Sequence, residues 1–301
     1  MNVNALDPKY LSLGFSLQDQ IPNPLASLGI FGATVARSQT LLPYPAYQAV
    51  TRRAPSWGNS IYHALQINAR KSLLHGLTAQ FSYAFGKAID DTVPSLSAGF
   101  AGFNTGDPGY QTVYNRRAER SISPTDVSQR FVSNWLYALP FGASQKVRLK
   151  GPLDWVLGGW RISGILTAQT GQPLLIRGAS NNAANRPNST GRSAYLPADQ
   201  RSTSRWFDTT AFAGPPLFTY GNVGRVLQDV RAPGLLQLDA GLQKFFRIRE
   251  RAQLQFRAEA FNATNRTNLG PPDAGFLSTG FGSINSSDQA RVMQLGAKIT
   301  F

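Results

Sequence analysis

The sequence predicts an all-β fold, an antiparallel transmembrane β-barrel segment, on three observations. Apolar and polar residues alternate with a period of two in seven stretches of roughly ten residues, the length that a strand tilted about 45° needs to cross a bilayer. The connections between those stretches alternate between short and long. The chain is also rich in turn formers, with 28 Gly and 19 Pro in 301 residues, and poor in strong helix formers. No apolar run approaches the roughly 18 residues of a membrane-spanning helix, and only a closed sheet otherwise satisfies every backbone polar group in lipid.

Residues 1–60 carry little alternation and many breakers, among them Pro22, Asn23, Pro24, Gly29, Gly32, Pro43, Pro45 and Pro55. They read as an irregular extracellular loop segment with Tyr44, Tyr47 and Trp57 as aromatic anchors. Residues 61–301 hold the strands. Ile61, His63, Leu65, Ile67 and Ala69 share one face, and after a short turn at 71–76, so do Leu77, Ala79, Phe81, Tyr83 and Phe85, which makes a hairpin. Phe131, Ser133, Trp135, Tyr137, Leu139 and Phe141 mark the third strand, and 153–157 predicts a helical turn. Trp160, Ile162, Gly164, Leu166 and Ala168 mark the fourth, and Leu236, Leu238, Ala240, Leu242 and Phe246 the fifth. Leu254, Phe256, Ala258 and Ala260 mark the sixth, and the chain closes on Met293, Leu295, Ala297, Ile299 and Phe301.

Transmembrane barrels have short periplasmic turns and long extracellular loops. With the C-terminus on the periplasmic side, the long connections 87–128, 171–234 and 262–290 all fall outside, and the shorter ones at 71–76, 142–158 and 247–251 fall inside. Phe141, Trp160, Phe246 and Phe301 then form a periplasmic aromatic girdle, with Tyr83, Phe85 and Phe131 at the opposite interface. A strand that stops on an aromatic C-terminus resembles the closing strand of a bacterial outer-membrane barrel. In that likeness, Leu295, Ile299 and Phe301 form the C-terminal assembly signal.

Cysteine is absent, which excludes a disulfide framework and Cys-ligated metal centres. The net charge of +14, from 30 Lys and Arg against 16 Asp and Glu, suits nucleic acid, anionic lipid or lipopolysaccharide. The basic residues are scattered, however, and no nucleic-acid-binding signature accompanies them, so no specific nucleic-acid partner is expected. Residues 1–10 have neither the basic start nor the apolar core of a signal peptide. An exported barrel needs one, so the true N-terminus is expected upstream.

Several stretches resemble the TonB-dependent receptors of the Oar-like, acidobacterial type. They are Ser60-Ile-Tyr-His-Ala-Leu-Gln66, His75-Gly-Leu-Thr-Ala-Gln80, Ser82-Tyr-Ala-Phe-Gly-Lys-Ala-Ile-Asp-Asp91, Asp126-Val-Ser-Gln-Arg-Phe131, Ala138-Leu-Pro-Phe-Gly142, Leu157-Gly-Gly-Trp-Arg-Ile-Ser-Gly164, Gln169-Thr-Gly-Gln-Pro173 and Phe256-Arg-Ala-Glu-Ala-Phe-Asn-Ala-Thr-Asn265. The match in order and spacing runs from residue 20 to 301. The resemblance implies a 22-stranded barrel plugged by an N-terminal domain, and nutrient uptake energised by a TonB complex that pulls on an N-terminal box. This chain has neither plug nor box and about seven strands, and is expected to be the C-terminal third of such a receptor. The implied partners are outer-membrane lipid and lipopolysaccharide, the barrel assembly machinery, and the TonB complex through the missing N-terminal part. An independent oligomer is not expected, and the ligand class stays open.

No catalytic triad, phosphate loop or zinc spacing is present, so no enzyme activity, cofactor or metal is expected. His63 and His75 read as a rim and a turn residue. Asp90 and Asp91 read as a solvated loop start or, with oxygen ligands, as part of a cation site. Asp239, Arg257 and Glu259 are the charged lumen-face residues of one hairpin and read as a salt-bridged wall facing water, a plug or substrate. Two other readings remain open from the residues. One is a soluble or surface-attached β-rich adhesion module that binds acidic polysaccharide. The other is a smaller complete barrel, which needs an eighth strand within 1–60.

Overall fold

The computed structural model describes residues 2–52, 56, 58–72, 76–91, 111–142, 146–178, 186–249 and 252–301. Seven strands form one up-and-down antiparallel meander: β1 (Ser60–Ser72), β2 (Leu77–Asp90), β3 (Gln129–Ala138), β4 (Trp160–Gln169), β5 (Leu235–Arg249), β6 (Ala252–Phe261) and β7 (Val292–Thr300). Each pairs with its sequence neighbour, and the pair Ser121–Ile122 adds to β2 at Ile89 and Asp90. The sheet is not closed: β1 and β7 are its two edges. A short helix, α1 (Pro152–Leu157), fills the connection between β3 and β4.

The register carries the strand alternation across the whole sheet. One transverse row runs Lys71, Ala79, Trp135, Gly164, Ala240, Ala260, Met293, and the next runs Leu77, Tyr137, Ile162, Leu242, Ala258, Leu295. Between them, on the other face, lie Ser72, Thr78, Leu136, Ser163, Gly241, Glu259 and Gln294. A slip of one residue at any pairing would invert every side chain beyond it. None occurs at these rows, so one face is apolar from β2 to β7, with Lys71 standing at the β1 edge. That face stays open: Leu295 is 82% exposed, Ile67 52% and Phe256 47%. A contiguous exposed apolar surface marks a face that meets a partner or a membrane.

Several expected boundaries differ: β1 runs to Ser72 and β5 to Arg249, each into the turn expected after it. The strand expected to run to Phe141 ends at Ala138, and Pro140 follows; proline has no N–H to continue a ladder. Phe141 makes only an isolated bridge with Val147. Conversely, β2 continues to Asp90, four residues past the expected end, because Ser60, Ile61, Tyr62 and His63 of β1 stay paired with it.

Gly164 shows how the apolar face packs. A Cβ at this position would collide with the six-membered ring of Trp135, its partner on β3. Gly164→Ala is therefore expected to lift the indole and cost about 1–3 kcal/mol. A lowered unfolding midpoint together with a shifted tryptophan emission would show it, and an unchanged midpoint would refute it.

The hydrophobic core lies outside the sheet, in the connections. Leu174, Ile176, Phe207, Phe212, Val223, Val230 and Ala274 are buried together, with Phe276 and Phe281 packed against them. Phe281 meets the rings of Phe207 and Phe212 at 5.2 and 5.7 Å. The connections after β4 and β6 thus form one packed cap beyond the end of the wall. The N-terminal stretch joins it. A 3-10 run at Pro8–Gln18 and a strand pair, Gln20–Pro22 with Thr34–Ala36, precede β1. Phe15 packs edge-on against Phe218 at 5.2 Å, and the Tyr114 hydroxyl donates to the Ala5 carbonyl at 3.0 Å.

Candidate functional site

Arginines of the cap reach three carboxylates: Asp90 at the end of β2, Glu119 in the connection after β2, and Asp126 just before β3. Arg225 is fully buried and donates to the Asp90 carboxylate, and at 3.0 Å to the Asp90 carbonyl, on the last residue of β2. Arg186 pairs with Glu119, both about 1% exposed. The second Glu119 oxygen accepts the Gln111 N–H at 3.0 Å. Arg231 reaches Asp126 at 2.6 Å, and the other Asp126 oxygen accepts the Ala88 N–H at 2.7 Å. A buried charge is tolerated where a partner of opposite charge is supplied, and each of these three arginines has one. Much of the basic character that the loop sequence advertises is thus spent inside.

Asp90 and Asp91 are a correction to the expected solvated loop start: both are 8% exposed and engaged. Asp91 accepts the Asn59 N–H at 2.6 Å and its side-chain amide at 3.2 Å, with Arg116 at 3.4 Å. Burial raises the Asp91 pKa, but the Asn59 hydrogen bonds and the Arg116 charge outweigh burial and hold it below the usual carboxylate range. A depressed folded-state pKa gives stability that is present above the unfolded value and lost as pH falls through the folded one. The residue before β1 is therefore expected to part from the end of β2 only as pH falls below the ordinary carboxylate range. Asp91→Asn should remove that acid step, and an identical acid titration of this opening in the variant would count against it.

On the solvent side of the cap, Arg201 is sandwiched between Tyr195 and Trp206, at 4.8 and 5.4 Å from the ring centres. Its Nε donates to the Leu196 carbonyl at 2.7 Å, and the Trp206 indole N–H donates to the Arg231 carbonyl at 2.7 Å. Tyr195 is 48% exposed, and Arg192 and Arg205 stand exposed nearby in sequence. Guanidinium and ring faces held rigid in this way can stack on and hydrogen-bond a ligand. A recess of about 400 Å³ lies at the cap end of the apolar face, lined by Tyr83, Phe131, Ala168 and Leu236 with Gln129 and Arg266.

The charged residues expected on the polar face separate into two groups. Arg257 and Glu259 come together at 3.6 Å, and Glu259 accepts from Gln294 at 3.4 Å. Asp239 turns instead to the connection after β6, accepting the Asn262 N–H at 2.9 Å and the Gln237 amide at 2.9 Å. The girdle residues Trp160 and Phe246 lie on the apolar face at the end of the sheet opposite the cap, Phe246 edge-on to Phe256 at 5.8 Å. Phe141 is 40% and Phe301 94% exposed at that same end. Leu295 and Ile299 lie on β7, the edge strand, and Phe301 follows its last residue. His63 stands opposite Lys87 on the wall. His75, Pro55, Trp57 and residues 92–110 lie outside the described residues. Among the described residues no group of three or more His, Asp or Glu is placed to hold a metal.

Lys244 was missed by the alternation. It occupies an apolar-face position between Trp160 and Phe256, yet it is 4% exposed. Its Nζ donates to the Val156 carbonyl at 3.2 Å and to the Gly158 carbonyl, at the C-terminal end of α1. The signal was present as the single break in the run from Leu236 to Phe246.

A family model described as outer membrane beta barrel domain matches residues 2–294. No curated protein and no solved structure matches the chain.

Proposed function

The chain belongs to the outer membrane beta barrel domain family and resides in the outer membrane, and from that premise we propose that it is the wall and ligand-capturing cap of a TonB-dependent transporter of the Oar-like type. The observation that carries this reading is the open sheet. Among the described residues, seven strands present one mainly apolar face and two edges, β1 and β7, with no strand beside them. A wall exposed to lipid cannot leave its edge N–H and C=O groups without partners. Further strands therefore complete it, and the resemblance supplies them as a 22-stranded barrel around a plug. The apolar face meets lipid, and the polar face with Arg257 and Glu259 lines the lumen. The α1 end is periplasmic and the cap extracellular, where the Tyr195, Arg201 and Trp206 stack makes first contact with the nutrient. The role assigned is binding and energised passage, with no chemistry on the ligand.

The native outer-membrane product, detected with an antibody against 186–234, tests this. A polypeptide much longer than 301 residues that co-purifies with the periplasmic domain of TonB is the expected result. A product of 301 residues that is monodisperse without detergent would instead favour a free β-rich adhesion module.

A further inference from the structure

We propose that α1 and the basic stretch before it form a binding surface for anionic phospholipid of the periplasmic leaflet. The proposal rests on the wall orientation given above. A lysine at position 244 would be costly in an apolar row that faces lipid. Here its ammonium is drawn to the last turn of α1, where helix carbonyls lack intrahelical partners and the dipole is negative. The Phe246 and Trp160 rings lie 4.8 and 5.5 Å from it. The Trp160 indole N–H also donates to the Val156 carbonyl at 2.9 Å, and the Trp155 ring sits 5.0 Å from that of Phe246. These contacts fasten the helix against the apolar face at the girdle. Gly159 allows the approach: its φ is 71°, and a Cβ there would meet the Phe245 carbonyl at 2.6 Å.

Fastened in this way, α1 turns apolar side chains outward. Leu153, Trp155, Val156 and Leu157 are 47–65% exposed, and they continue the wall's lipid-facing surface past its edge. Lys146, Arg148 and Lys150 alternate along the exposed stretch just before the helix, and Asp154 is the one acid on the helix itself. An apolar, tryptophan-bearing surface beside three cations has the composition of a segment lying in the headgroup zone, and the charge selects phosphate-bearing anionic lipid.

The chain has no cysteine, so Val156→Cys gives one labelling site and Leu242→Cys, in the middle of the wall, a second. Each variant of the full chain is labelled with bimane and reconstituted in vesicles containing brominated phosphatidylglycerol or brominated phosphatidylcholine. Quenching is expected at both positions, with position 156 favouring phosphatidylglycerol. Changing Lys146, Arg148 and Lys150 to Gln should weaken that preference by roughly fivefold per charge removed. Quenching at 242 but not at 156 would overturn the proposal and leave the wall reading intact, whether water or protein covers the helix. No quenching at either position would overturn the wall reading itself. Equal quenching by the two lipids at 156 would overturn the anionic preference.

Discussion

Arg186→Met is expected to unfold the cap while leaving the wall strands paired. The substitution strands the Glu119 carboxylate, about 1% exposed, beside an apolar chain. Breaking one half of a buried ion pair typically costs about 3–5 kcal/mol, because the orphaned charge keeps its desolvation penalty. The loss should fall on 186–234 and the connection after β2, since Arg186 contacts no wall strand through this pair. Faster proteolysis inside 186–234, with a shifted Trp206 emission and an unchanged β signal, would be the signature. Adding Glu119→Leu to Arg186→Met should recover much of the loss, since a packed apolar pair is often as stable as the ion pair it replaces. A single variant as resistant as the parent would show that the ion pair is idle.

Leu166→Arg should have an effect of similar size on the wall. Leu166 lies between Ser133 and Leu238 on the apolar face, near the middle of β4. An arginine at mid-bilayer depth on the lipid side of a barrel costs about 2–4 kcal/mol. The neighbouring Thr167→Arg points to the polar face, between Val132 and Gln237, and should change stability by no more than about 0.5 kcal/mol. Urea titrations of folding into lipid bilayers would separate the two. Equal effects would mean that the two faces are not lipid and lumen.

The wall was legible because its information is local: a period of two, once in register, sorts side chains to two faces without reference to anything distant. Phe81, Trp135, Leu242 and Leu295 could each be assigned from their immediate neighbours. The cap was not legible for the opposite reason. Arg225 and Asp90 lie 135 positions apart, and Arg186 and Glu119 lie 67 apart. Nothing in an Arg, Asn and Ser-rich loop marks which guanidinium will be buried and which will face solvent. Asp90 and Asp91 looked like the wet start of a loop because their partners come from elsewhere in the chain. Lys244 fell between these cases. It broke the pattern visibly, but its meaning depended on α1 folding back across the wall.

The long reach of the arginine pairs also bears on how the strands find their alignment. Hairpins of a meander form from near neighbours and can close early, whereas contacts separated by a hundred residues form late. Asp90 ends β2, and Asp126 lies just before β3, so their carboxylates are positioned by the pairing of those strands with their neighbours. A two-residue slip preserves the inside-outside alternation and so escapes the hydrophobic check, but it displaces a strand end by nearly 7 Å. Arg225 and Arg231 could not then reach both acids. The cap therefore works as a proofreader, sealing only over strands set in the correct frame.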